Sequence, residues 1–268
     1  MGMVYRLATS DFFQHAGLAR GLNTGAGRLA DRRLPGWLLQ AIIRKYIRMN
    51  QVDMSDFEDD LSKYATFNQF FTRRLRPGSR LQEEGITAPA DGTVTAAGTF
   101  HAAQLFHVKG SAYPLEELLQ KPGFEQGSFA TIYLSPADYH RVHAPLDGIV
   151  TAIHHLDGAV RTVNPAHLHK HPQLYCTNER VVLEGDCDAG RFFLVLVGAL
   201  VVGRIGISLV DDFRKGFSQE NLSISISKGD EIGRFQMGST VILVLDTSTL
   251  QPAERLTGHP IKLGNSLC

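Results

Sequence analysis

Gly229-Asp230-Glu231-Ile232-Gly233-Arg234-Phe235-Gln236-Met237-Gly238-Ser239-Thr240-Val241-Ile242-Leu243 reads as a strand, a tight Gly-Ser-Thr element, and a second strand rich in Val, Ile and Leu. A Gly-Ser-Thr tripeptide on its own is a turn: Gly supplies positive φ and Ser bonds nearby backbone. It also sets a hydroxyl beside a peptide bond that it can attack. Gly238 has no side chain, so its carbonyl is open to Ser239 Oγ. A serine hydroxyl is a poor nucleophile until a positioned base takes its proton. The rest of the chain therefore has to supply a base and a group that orients it.

The 268 residues are 43% hydrophobic and 20% charged, with a formal net charge of zero. That is an ordinary globular composition, sufficient for one large domain or two small ones. Zero net charge gives nucleic-acid binding no support. Cys176, Cys187 and Cys268 are few and odd in number, which fits reduced thiols. The longest apolar run, Phe192 to Gly203, is bounded by Arg191 and Arg204. It is shorter than the roughly 20 residues that span a bilayer, and its Val and Leu content predicts buried strands.

Residues 1–75 are helical in pattern and form one expected unit; residues 76–268 form a second, β-rich one. Leu34, Trp37, Leu38, Ile42, Tyr46 and Ile47 recur at helical spacing among Arg32, Arg33, Arg44, Lys45 and Arg48. Such a basic amphipathic stretch reads either as a helix packed on its own domain or as a surface for anionic lipid. Phe67, Phe70 and Phe71 read as core behind a Thr66 cap. Arg73, Arg74 and Arg76 read as solvated, with phosphate as a second possibility. From Ala88 on, strands are predicted near 93–100, 129–134, 148–155, 179–184, 192–197, 201–209, 222–227 and 240–245. Many short strands at close spacing predict a sandwich or barrel. The expected fold class is thus α+β, mainly β: a helical N-terminal segment on a β-sandwich or barrel-like core.

Asp91 precedes Gly92 at the entry to a strand, a turn signal or a carboxylate that orients a histidine. His140 and His143, three apart, sit with Asp138, Tyr139 and Arg141 between a strand and the turn at Pro145-Gly148. Histidine is the natural general base near neutral pH. His154, His155, His167, His169 and His171 form a second histidine-rich stretch. Pro165 and Pro172 make an exposed polar loop there the preferred reading over a metal site.

Taken together, Phe67-Asn68-Gln69-Phe70-Phe71, Arg74-Leu75-Arg76, Ala88-Pro89-Ala90-Asp91-Gly92, Tyr133-Leu134-Ser135-Pro136, Asp138-Tyr139-His140-Arg141-Val142-His143, Val163-Asn164-Pro165, Asn178-Glu179-Arg180 and Gly238-Ser239-Thr240 resemble, in order, the phosphatidylserine decarboxylase proenzymes of bacteria. The resemblance implies a self-cleaving enzyme of phospholipid biosynthesis that converts phosphatidylserine to phosphatidylethanolamine and CO2. Asp91, His143 and Ser239 would form its Asp-His-Ser triad. Cleavage between Gly238 and Ser239 would turn Ser239 into a covalent pyruvoyl group, the cofactor, at the start of a small chain that stays with the large one. His140 would act in decarboxylation or protonation. Tyr139, Asn164 and Thr240 are the substrate-binding candidates, with a mobile loop from Asn164 to Tyr175. The family also implies a likeness in setting: peripheral attachment to the cytoplasmic face of the cell membrane, a homodimer, and no metal. Two positions depart from the pattern, Met237 for the usual Leu and Leu200 for the usual Thr.

Three other readings compete. The first is a zinc peptidase using His140 and His143, which lacks a third ligand in convincing context. The second is a carrier-type barrel suggested by Lys228-Gly229-Asp230, without a suitably flanked lysine. The third is a pyruvoyl decarboxylase of a soluble amino acid, against which the basic N-terminal helix weighs.

Overall fold

Residues Val241–Leu245 are apolar at every position, a pattern that a strand wet on one face does not carry. In the computed structural model each of them is buried. The structure describes residues 29–58, 60–101, 106–108, 111–122, 124, 126–163, 173–199, 205–236, 239–246 and 254–268. Its strands are β1 Gly92–His101, β2 Phe106–Val108, β3 Ser111–Tyr113, β4 Gln126–Leu134, β5 Arg141–His143, β6 Gly148–Leu156 and β7 Arg180–Cys187. The chain continues through β8 Gly190–Gly198, β9 Ile205–Ile207, β10 Ser218–Gln219, β11 Ile224–Ile226, β12 Glu231–Phe235, β13 Ser239–Leu245 and β14 Pro260–Ile261.

A nine-stranded sheet runs β10-β6-β7-β8-β13-β4-β1-β14, with β11 also on β6. The apolar strand β13 lies inside it, antiparallel to both β4 and β8. Period-two alternation sends its side chains to two cores. Val241, Leu243 and Leu245 join one cluster, and Ile242 and Val244 the other. The first cluster also holds Val142, Ile205, Ile207, Ile232 and Phe235, from a three-stranded sheet ordered β5-β12-β9. The second holds Leu115, Leu118 and Leu119 of the helix Leu115–Leu119 and Leu174 and Tyr175 of the helix Leu174–Thr177. The large sheet is therefore covered by a small sheet on one face and short helices on the other. This is the expected α+β, mainly β class, with the sandwich confined to one side.

The N-terminal segment has a small core of its own. The helix Gly36–Asn50 buries Leu39 and Ile43 against Phe70 of the helix Phe67–Phe71. Thr66 caps the latter by accepting from the Gln69 N–H, as its sequence suggests.

Several sequence readings need correction. Ser239 and Thr240 are already strand residues, not a turn; Met237 and Gly238 lie outside the described residues. Asp91-Gly92 is not a turn either, since Gly92 opens β1. Glycine is needed there because a Cβ would come within 2.4 Å of the Tyr133 carbonyl oxygen. Arg73, read as solvated, is 2% exposed. His154 and His155 belong to β6, and His155 is buried against Glu179 at 3.0 Å. His167, His169 and His171, together with Asn164 and Leu200, lie outside the described residues.

Candidate active site

Strand pairing decides which way Ser239 faces. It is opposite Leu134 on β4 and Gly198 on β8, one rung before Val241 on the same face. Its hydroxyl therefore looks toward the layer that contains β5 and the histidine block. The side chain is fully buried, and its Oγ has no hydrogen-bond partner among the described residues. A buried hydroxyl left unpaired costs about 1–3 kcal/mol, so stability alone gives no reason to keep it. Thr240 points the other way. It faces the helix-covered side of the sheet, with Ile242 and Val244 of the same strand. The two neighbours thus serve opposite sides of the sheet.

The histidines are held by the strand that runs into the Gly-Ser-Thr element. Strand β5 pairs with β12, with His143 opposite Glu231, and the Phe235 N–H donates to the His140 carbonyl at 2.9 Å. Both rings carry their proton on Nδ1, because each Nδ1 faces a carbonyl oxygen that can only accept. For His140 the acceptor is Asp138, at 2.8 Å; for His143 it is Gly229, at 2.7 Å. Gly229 sits at φ +93, a conformation that suits glycine, and that turn aims its carbonyl at His143.

Beyond this shared tautomer the two rings differ. His143 Nε2 accepts from the Tyr139 hydroxyl at 2.9 Å. Tyr139 is 3% exposed and packs on Phe57; its hydroxyl is committed to His143 rather than open to a ligand. Burial lowers the His143 pKa, against the raising effect of the Gly229 hydrogen bond. His140 is completely buried, 4.1 Å from the Phe71 ring centroid, and its Nε2 has no partner among the described residues. Burial drives its pKa from 6.5 to about 3, with the Arg73 charge adding to the shift. Both imidazoles are therefore neutral near pH 7, with Nε2 as the basic atom.

Asp91 does not make the hydrogen bond expected of it. Its Oδ1 accepts from the Leu263 N–H at 2.8 Å and its Oδ2 pairs with Arg80 at 2.9 Å. It stays close to the histidine block through the backbone, since the His143 N–H donates to the Pro89 carbonyl at 2.8 Å. Among the described residues, neither Asp91 nor Ser239 is hydrogen-bonded to His143. The carboxylate is already satisfied by Arg80, and a peptide carbonyl does the orienting. Glu231, opposite His143, receives Arg141 Nη1 at 2.8 and 2.7 Å on its two oxygens. Burial raises the Glu231 pKa, but Arg141 and Ser208 more than offset it, and the net shift is downward. Arg80, Gly229 and Glu231 join the site only through the fold; of the three, the sequence marks only Gly229, as a glycine in the Lys228-Gly229-Asp230 turn signal.

Asn178 links the site to the loop that follows β6. Its Nδ2 donates to the carbonyls of Arg161, at 2.8 Å, and of Gly198, at 2.9 Å. Gly198 is the β8 residue opposite Ser239. For a metal, the geometry offers little: among the described residues no three His, Cys, Asp or Glu side chains come together.

Residues 67–268 match the family model described as phosphatidylserine decarboxylase. A phosphatidylserine decarboxylase proenzyme of Acidovorax ebreus is 39% identical over 264 residues, covering 92% of this chain and 93% of its own. The proenzyme of Delftia acidovorans is 39% identical over 267 residues, with the same coverage. That of Legionella pneumophila strain Corby is 37% identical over 263 residues, again with 92% and 93% covered.

Proposed function

This chain belongs to the phosphatidylserine decarboxylase family, and from that premise we propose that it is a proenzyme that cuts itself between Gly238 and Ser239 and then decarboxylates phosphatidylserine to phosphatidylethanolamine. The observation that carries the reading is the Ser239 hydroxyl: buried, without a partner among the described residues, and facing the histidine layer.

In the first reaction Ser239 Oγ attacks the Gly238 carbonyl while His143 Nε2 takes its proton. This requires the imidazole to exchange the Tyr139 hydroxyl for that of Ser239. Gly229 holds the tautomer in which Nε2 is free to do so. Asp91 contributes through its charge and through the Arg80 network rather than by contact with His143. The amide becomes an ester. β-Elimination expels the Gly238 carboxylate and leaves dehydroalanine, whose imine tautomer takes up one water and releases ammonia, leaving a pyruvoyl group in place of Ser239. The new chain end stays in register because β13 is flanked on both sides by strands of the large chain. Five consecutive buried apolar residues, Val241–Leu245, hold the small chain there.

The pyruvoyl carbonyl would supply an electron sink for the pair released as CO2 leaves. The chain's own residues do the rest. His140, neutral and with a bare Nε2, accepts a proton from the substrate amine and returns it to the carbon that loses CO2. The apolar wall of Phe71 beside it excludes water. Asn164 and the segment from Asn164 to Tyr175 are proposed to cover the substrate. Ahead of that segment, Asn178 ties Arg161 to Gly198, the residue opposite Ser239.

Peripheral attachment to the cytoplasmic face of the membrane, and a homodimer, complete the proposal. On the helix Gly36–Asn50, Trp37 is 74% exposed and Met49 57% exposed, among exposed Arg33, Arg44, Lys45 and Arg48. An outward indole between basic side chains suits an anionic lipid surface. No helix among the described residues is long and apolar enough to cross a membrane. Pelleting with anionic vesicles at low and high salt tests the attachment, and absence of binding at low salt rejects it. For the chemistry, time-resolved electrophoresis of freshly folded protein, alongside a phosphatidylserine turnover assay, is the test. Decarboxylation by uncut chain would overturn the proposed order of events.

A further inference from the structure

Arg73 is an expensive residue to bury. Its side chain is 2% exposed, and the acceptors its guanidinium meets among the described residues are backbone carbonyls, not carboxylates. Its Nε and Nη1 have no hydrogen-bond partner among those residues. The guanidinium instead rests over the rings of Phe57, 4.2 Å from the centroid, and Phe70, 5.2 Å away. An uncompensated buried charge is costly to a fold, so stability alone does not explain Arg73. What it does here is donate Nη2 to two successive carbonyls, Ala137 at 3.1 Å and Asp138 at 3.4 Å. The preceding carbonyl, Pro136, accepts from the Tyr46 hydroxyl at 2.7 Å. Three carbonyls in a row are thus gripped by the N-terminal segment. The last of them, Asp138, also accepts the His140 Nδ1 proton.

We propose that Arg73 is a positioning residue for His140: with Tyr46 it clamps the Pro136–Asp138 turn so that the Asp138 carbonyl fixes the His140 ring with its proton on Nδ1 and Nε2 bare. The proposal rests on the reading of His140 as the group that moves a proton during decarboxylation. The clamp does two separable things. Its fork sets the position of the carbonyl, and hence the tautomer. Its charge opposes protonation of the ring, in the same direction as burial. Around the pair, Asp138 lies on the same turn as His140, Tyr46 and Tyr64 come from the N-terminal segment, and Asp91 acts from the entry to β1; all four bear on Arg73 electrostatically. Self-cleavage uses Ser239 and His143, whose Nδ1 proton is held by the Gly229 carbonyl, outside this turn. Loss of the clamp therefore separates the two reactions, whereas a merely structural arginine would slow both.

The test compares Arg73→Gln, Arg73→Lys and His140→Ala in full-length protein. Arg73→Gln should self-cleave at close to the wild-type rate. Its kcat for phosphatidylserine in detergent micelles should fall about tenfold or more, a fraction of the 10²–10⁴ a positioned proton-transfer group contributes, with little change in KM. The acid limb of its kcat profile should move to higher pH. In uncleaved Ser239→Ala protein, the His140 imidazole nitrogen resonances should report protonated Nδ1, and adding Arg73→Gln should populate protonated Nε2. Arg73→Lys keeps the charge but not the fork, so it should mix tautomers while leaving the acid limb in place. If Arg73→Gln does not fold, Arg73→Lys carries the test through its nitrogen resonances. Unchanged resonances together with unchanged kcat overturn the clamp while the His140 reading stands, provided His140→Ala is inactive. Full turnover by His140→Ala overturns the His140 reading instead.

Discussion

Asp91 and Glu231 each meet an arginine, whereas Ser239 Oγ, His140 Nε2 and two of the three Arg73 nitrogens are at least as buried and meet nothing among the described residues. The two groups are close in the fold, linked through the histidine block. The first resembles any well-folded protein, in which buried charges are paired and buried polar atoms bonded. The second breaks that rule at three side chains around the histidine block; other buried atoms without a partner among the described residues, such as Thr131 Oγ1 and Thr240 Oγ1, lie on the opposite face. Unsatisfied atoms of this kind weaken a fold, and these three side chains include the two proposed reactive groups, Ser239 and His140. Substitutions in the unpaired set should therefore change chemistry first, and those in the paired set should change stability first.

The largest effect is expected for Ser239→Ala: one uncut chain and no decarboxylation, read by electrophoresis and turnover. Cleavage persisting at the same bond would remove Ser239 as nucleophile. Next come the two histidines, with opposite consequences. His143→Ala should slow self-cleavage by about 10²–10⁴, the usual contribution of a positioned base. His140→Ala should mature and then decarboxylate more slowly by a similar factor. If both variants fail at the same step, the division of labour between the rings is wrong.

A smaller effect separates the paired set from the unpaired one. Asp91→Asn takes the charge from Arg80, which keeps Asp56 as a partner. Stability should fall by about 1–3 kcal/mol, measured by denaturant unfolding, and maturation should slow less than in His143→Ala. Maturation stopped as completely as by His143→Ala would mean that Asp91 acts on the imidazole directly.

The smallest effect is one of pH. His140 is neutral in the folded chain down to about pH 3, while the unfolded chain takes up a proton near 6.5. The unfolded state binds more protons over that interval, so stability falls as pH drops through it. His140→Phe should remove part of this acid sensitivity in unfolding curves taken between those limits. An unchanged pH dependence would mean that His140 is not the group responsible.

The sequence carried the broad design well. Val241–Leu245 and Phe192–Val197 were legible as buried strands because an unbroken apolar run needs two covered faces, and both faces are covered. The histidine block stood out as a concentration of titratable side chains at a strand end, but its burial did not: Tyr139, His140 and Arg141 are all buried. The short strand β5 within it was not legible, because Arg141 and His143 carry no β pattern of their own and are placed by β12. Arg73 misled for a related reason: one arginine among three looks solvated, and only the fold lays Phe57 and Phe70 under it. The partner of Asp91 was out of reach because Arg80 and Leu263 join it from 11 and 172 residues away. Spacing says nothing about such contacts.

The central claim is that Ser239 severs the bond before it, and the intact mass of purified, freshly folded protein measures this directly. Two species are predicted, a large chain ending at Gly238 and a small chain from position 239 that is lighter than its sequence by one ammonia. A single species at the full mass of 268 residues, unchanged on prolonged incubation, would contradict it.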